Sequence, residues 1–149
     1  MKIFLSLLLI STLALCAQID EFASTQKYFR DYNTGLEVAK KQNKLIMLVV
    51  VTDFCPWCKK LERKTLSSNL VQKKVQKNLI PIIINKNKDK GKYPAKFYSK
   101  QVPTIIFINP KTNKRVYEAL GYMKKDDFVQ EIDTGLKAFK AVKKWYLDF

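Results

Sequence analysis

The stretch LIMLVVVT, residues 45–52, constrains the fold more than any other part of this 149-residue chain. It is apolar without alternation and β-branched toward its end. A strand of that kind has no polar face to turn to water, so both faces must be covered, as in a sheet with helices on either side. LIPIIIN (79–85) and TIIFINP (104–110) repeat the pattern, and RVYEAL (115–120) reads as a fourth strand. Pro81 has no ladder donor, which moves the second of these strands toward a sheet edge or a late start.

Helical patterns separate the strands. Asn33 to Lys44 reads as a short helix, with Asn33 or Thr34 as its cap and Asn43 suited to its stop. CPWCKKLERKTL is helical from Pro56 onward, where proline fits a first turn. SSNLVQKKVQKN follows as a second short helix, capped by Ser67 or Ser68, with Leu70, Val71 and Val75 on one face. A Lys-rich loop, Lys86 to Lys92, leads to a short helix around Pro94 to Lys100, with Tyr93, Phe97 and Tyr98 packing it down. From about Lys124 a long helix carries Phe128, Ile132, Leu136 and Phe139 on one side; Gly135 within it costs about 1 kcal/mol against Ala. A strand–helix–strand crossover, a hairpin and a last helix make an α/β architecture: a mixed central sheet flanked by helices. The length suits one domain able to bury its core without a covalent staple.

The first residues, MKIFLSLLLISTLALCAQ, have the form of a secretory signal: one Lys, an apolar run too short to span a bilayer, then small residues. The chain divides into a signal peptide at 1–17 and a domain at 18–149, with residues 18–32 as an ordered lead-in. LALC is a loose match to a lipidation signal at Cys16, but Leu15 is bulky where such signals need a small residue, so cleavage is favoured over an anchor.

Charge is unusual: Lys and Arg number 28 against 13 Asp and Glu, a net +15. A basic chain suits an acidic partner or an anionic membrane. The lysines are dispersed, with no Arg-rich or aromatic-interleaved motif, which argues for a solvated surface and against nucleic acid. There is no His, which excludes Ser-His and Cys-His catalysis and the commonest zinc ligand.

Cys55-Pro56-Trp57-Cys58 allows three readings. A zinc site wants about four ligands and finds one Cys pair, so no metal is expected. As a staple the pair closes a loop too small to stabilise much. The redox reading uses every neighbour. Cys55 falls at a strand–helix junction, where unpaired N–H groups and the helix dipole favour a thiolate. Lys59 and Lys60 add positive charge. Cys58 lies one turn on, placed to resolve a mixed disulfide formed at Cys55. Pro56 shapes the turn, and Trp57 offers a flat surface beside the sulfurs; Phe54 fits either core or surface. No cofactor is needed.

This strand, the C-x-x-C at a helix start and the later Val102-Pro103-Thr104 resemble the thioredoxin superfamily. The likeness is nearest to the thioredoxin-like domain of membrane thiol:disulfide interchange reductases and to small exported proteins of that type, over roughly residues 33–133. The resemblance implies a thioredoxin-like fold, a cis-proline at Pro103 against the redox pair, and substrate backbone pairing at Val102. Pro56, Trp57, Val102 and Pro103 would form the substrate groove. It also implies protein thiol or disulfide substrates, a membrane electron donor of the interchange type and, with the signal, export to a compartment such as the bacterial periplasm. A monomer is expected. Three departures stand out. Pro56-Trp57 replaces Gly-Pro between the cysteines. Val49 stands where thioredoxins carry a buried Asp; Asp53 reads as surface-facing, and Glu62 either takes over the proton or forms a surface salt bridge. A first strand is missing unless KYFRDY supplies it. The expected function is an exported thiol:disulfide oxidoreductase, reductase or isomerase in preference to oxidase. The other reading is a redox-inactive binding module for an acidic partner or a membrane surface.

Overall fold

The computed structural model describes residues 17–147. The signal sequence and Cys16 therefore lie outside the described residues, apart from Ala17. The elements are α1 (Ala17–Gln26), α2 (Tyr32–Gln42), β1 (Leu45–Val51), α3 (Pro56–Leu61) running into a π-helical turn (Glu62–Leu66), α4 (Asn69–Asn78), β2 (Leu79–Asn85), a 3₁₀ turn (Ala95–Phe97), β3 (Thr104–Asn109), β4 (Lys114–Leu120) and α5 (Lys125–Leu147). The sheet order is β2-β1-β3-β4. β1 pairs parallel with β2 and antiparallel with β3, and β3 pairs antiparallel with β4.

Every residue of β1, β2 and β3 is buried, as unbroken apolar runs require. Alternation divides β1 between two cores. Leu45, Met47, Val49 and Val51 join the layer that holds Cys55, Cys58 and Phe128. Ile46, Leu48 and Val50 join the layer that holds Tyr32, Leu36 and Phe97.

Pro81 does sit on an edge strand. The Phe29 N–H donates to the Pro81 carbonyl at 2.9 Å, and the Ile83 N–H donates to the Phe29 carbonyl at 2.9 Å. The donor that Pro81 lacks would thus point away from β1, where its loss costs no ladder bond. Phe29 is all that KYFRDY contributes as a strand: a single parallel bridge to Ile82.

Several local expectations change. The cap of α2 is Asp31, not Asn33 or Thr34: its carboxylate accepts from the Thr34 N–H and hydroxyl, both at 2.7 Å. Asn43 closes that helix at φ 51°, the left-handed conformation Asn tolerates. Ser68 is the cap of α4. Val71 and Val75 are buried but Leu70 stays 49% exposed, because it lies one residue, about 100°, off their stripe. Pro94 to Lys100 holds only the 3₁₀ turn, since Pro94 and Tyr98 flank it in extended conformations. Tyr93 and Phe97 pack inward, while the Tyr98 hydroxyl accepts from the Gly91 N–H at 2.8 Å. The Lys-rich loop is pinned from within by buried Asp89, which accepts from the Asn85 N–H at 2.7 Å and from Arg30 at 3.0 Å. Gly135 is required by close approach: a Cβ there would lie 2.8 Å from the Phe107 ring, so glycine lets α5 close on β3.

Candidate active site

β1 delivers the chain to one end of the sheet, and Thr52 to Phe54 turn it into α3. Cys55 is the N-cap of α3 and Pro56 follows at its first turn. The Cys55 sulfur accepts from the Cys58 N–H at 3.1 Å, so it occupies the place where a capping oxygen would satisfy an orphan donor. Cys55 and Cys58 form a disulfide with their Cα atoms 5.2 Å apart. The pair is asymmetric: Cys55 is 9% exposed and Cys58 is 1% exposed. Cys55 is the more exposed of the two, and reduction would leave its sulfur in the field of the helix N-terminus.

Beside the pair runs an open groove of about 350 Å³, lined by Trp57, Val102, Pro103, Gly121 and Tyr122. The Val102–Pro103 peptide is cis. The peptide groups of Val102 precede β3, which begins at Thr104. Trp57 is 56% exposed and lies 5.8 Å from the Tyr122 ring. Lys60 places its ammonium 4.9 Å from the Trp57 ring and 4.6 Å from the Tyr122 ring. Phe54, on the other side of Cys55, is 83% exposed and held at φ 55°, an uncommon conformation for a bulky side chain. It belongs to the surface, not the core.

Behind α3 is a small cavity of about 30 Å³, lined by Gln18, Ile19, Val51, Thr52, Asp53, Lys59, Glu62 and Asn85. Val49 is fully buried and brings no acid to this region. Glu62 does bring one. Burial pushes its carboxyl up to about 7, against the weaker pull of Lys59 and Arg63. Among the described residues Glu62 makes no salt bridge, so the surface ion pair is not its role. Asp53, at the rim of the same cavity, pairs with Lys88 at 3.0 Å instead.

The chain thus brings Cys55, Cys58, Pro56, Trp57, Val102, Pro103, Lys59 and Glu62 to one end of the sheet. The sequence left Phe54 open between core and surface, and it missed Tyr122 as a groove wall. Gly121 was the available signal for Tyr122: its φ of 82° and its N–H bond to the Pro103 carbonyl at 2.8 Å turn Tyr122 toward Trp57. The Thr65 hydroxyl donates to the Met123 carbonyl, tying this segment to the π-helical turn. Among the described residues no cluster could hold a metal ion.

Comparison with known proteins agrees with this geometry. The thioredoxin-like domain family matches residues 32–136. Anterior gradient protein 1 of Xenopus laevis is 26% identical over 124 residues, covering 79% of this chain and 66% of that protein; this chain thus spans slightly under two thirds of the relative's length. The solution structure of a thioredoxin from Thermus thermophilus superposes with a TM-score of 0.63 at 16% identity, over 78% of this chain and 92% of the other. The oxidised DsbD C-terminal domain of Neisseria meningitidis gives 0.57 at 18% identity, over 72% and 98%. This chain belongs to the thioredoxin-like domain family, with a Cys55–Cys58 disulfide at the start of its first helix after β1.

Proposed function

We propose that this protein is an exported thiol:disulfide oxidoreductase that works as a reductase or isomerase of polypeptide disulfides. The observation that carries the reading is the asymmetry of the pair: Cys55 caps the helix start and is the more exposed, while Cys58 is fully buried one turn away. In the reduced state the Cys55 thiolate attacks one sulfur of a substrate disulfide, and that disulfide's other sulfur leaves as a thiolate. A mixed disulfide now joins Cys55 to the substrate. Cys58 gives up its proton, attacks the Cys55 sulfur and expels the second substrate thiolate. The substrate has gained two electrons and two protons, and the pair is a disulfide. A dithiol donor returns both electrons, by the same exchange, before the next turnover.

Glu62 is one turn below Cys58 and holds a carboxyl that titrates near neutrality. It suits acceptance of the Cys58 proton in the resolving step. Its charge also opposes a second negative charge at the sulfurs, which raises thiol pKa values and favours the reductant direction. Pro56, Trp57, Val102 and Pro103 bind the substrate segment, and Lys59 tempers the charge of Glu62.

Export rests on residues 1–17 as a signal peptide, with cleavage favoured over lipidation at Cys16. The domain 18–149 then acts as a monomer in a compartment such as the periplasm, fed by a membrane donor of the interchange type. No helix of the described residues is long and apolar enough to cross a membrane. N-terminal sequencing of secreted material tests the cleavage site. Titration of the pair in glutathione buffers, read by thiol alkylation, tests the direction. A potential near about −270 mV, like that of thioredoxin, supports a reductase, and one near about −120 mV makes the protein a disulfide donor. A pair that never cycles leaves the redox-inactive binding module.

A further inference from the structure

Resting on the reading of this chain as an oxidoreductase of polypeptide disulfides, we propose that Lys60 selects its substrates: it favours extended segments with a carboxylate close to the reacting cysteine. Exposed aromatic surface flanks Cys55 on both sides, with Phe54 at 83% exposure and Trp57 at 56%. Large exposed aromatics on either side of a reactive cysteine suit contact with a substrate chain. The groove beside it is open and lined by Trp57, Val102, Pro103, Gly121 and Tyr122, and the Val102 peptide lies outside the β3 ladder. That shape takes an extended chain, not a compact small molecule.

Lys60 gives the groove a sign. Its ammonium sits within 5 Å of the ring centres of both Trp57 and Tyr122. Among the described residues no carboxylate pairs with it, although Lys40, Lys74 and Lys88 all have carboxylate partners. A lysine stacked on two rings is already ordered, so it loses less side-chain entropy on binding than a free surface lysine. The rings accept no strong hydrogen bond, and its N–H groups remain for a carboxylate oxygen. A substrate carrying Lys or Arg at the same place would meet a like charge beside Trp57, so selection comes from repulsion as well as attraction.

The test uses the reduced protein and peptides that are identical except for one position two residues from a single cysteine: Glu, Gln or Lys. Each is presented as its mixed disulfide with 2-mercaptoethanol, and the second-order rate of exchange is followed by chromatography. The Glu-to-Lys rate ratio is expected at about tenfold at low salt. Lys60→Gln should reduce it to about threefold, the residue of the general positive field, and Lys60→Arg should restore it. Lys41→Gln removes the same charge from α2, which packs on the opposite face of the sheet, and should keep the tenfold ratio. Equal ratios in Lys60→Gln and Lys41→Gln would overturn the selection by Lys60 while leaving the oxidoreductase standing. Failure of the native protein to exchange with any of the peptides would overturn both.

Discussion

The two faces of the sheet share the same strands and serve different ends. The face under α2 is a packing layer of Leu36, Ala39, Ile46, Leu48, Val50, Ile82 and Phe97. The face under α3 and α5 is equally apolar in its interior, yet at one end it carries Cys55 and Cys58 and the half-buried carboxyl of Glu62. A strand buried on both sides can therefore anchor a reactive helix on one face while the other supplies stability. The faces should respond separately to substitution.

The largest expected effect is on the reactive face. Cys55→Ala should lower the exchange rate by about 10³-fold or more, because no other thiolate occupies the helix start. Its unfolding midpoint, compared with that of the reduced native protein, should hardly move. The converse substitution is Leu48→Ala, which is fully buried on the packing face. It should cost about 2–5 kcal/mol in denaturant unfolding and leave the potential of the pair where it was. A shifted potential in Leu48→Ala would show the faces to be coupled.

Gly135→Ala sharpens the comparison within the reactive face. The new methyl would crowd the Phe107 ring, at a cost of about 1–3 kcal/mol, measured in the same unfolding experiment. Exchange by the folded fraction should persist, since α5 supports the site only from behind. The smallest effect belongs to Glu62. Its folded pKa, about 7, stands above the ordinary carboxylate value. The folded state therefore holds this proton more tightly than the unfolded chain. The stability this gives is full below about pH 4.5 and is lost as pH rises through about 7. Glu62→Gln should remove that slope, a change on the order of 1 kcal/mol after solvent screening is allowed for. It should also remove a pH step near 7 from the rate at which Cys58 releases a mixed disulfide; an unchanged profile would take Glu62 out of the proton path.

The sheet was legible because its signals are strong and local. Three unbroken apolar runs could only be covered strands, and Pro81 announced its own edge. The redox pair was legible because Pro56 and the preceding strand fix Cys55 at a helix start. Other features depend on tertiary contacts that no local pattern carries. Asp31 outcompeted Asn33 and Thr34 as a cap because the helix begins two or three residues earlier, with Tyr32 drawn into the core. Phe54 has the composition of a core residue, and only its left-handed backbone turns it to solvent. The pairing of Trp57 with Tyr122 joins residues far apart in sequence, through the turn at Gly121. Glu62 was visible as a residue four positions from Cys58, but its burial follows from α1, whose Gln18 and Ile19 line the same cavity.

The account turns on Cys55 as the attacking sulfur and Cys58 as the resolving one. The direct measurement is to trap each half-reaction: Cys58→Ser and Cys55→Ser proteins are reacted with a disulfide-linked peptide, and the adducts are mapped by mass spectrometry. The account predicts a stable mixed disulfide through Cys55 in the Cys58→Ser protein and little or none through Cys58 in the Cys55→Ser protein. An adduct forming through Cys58 as fast as through Cys55 would contradict it.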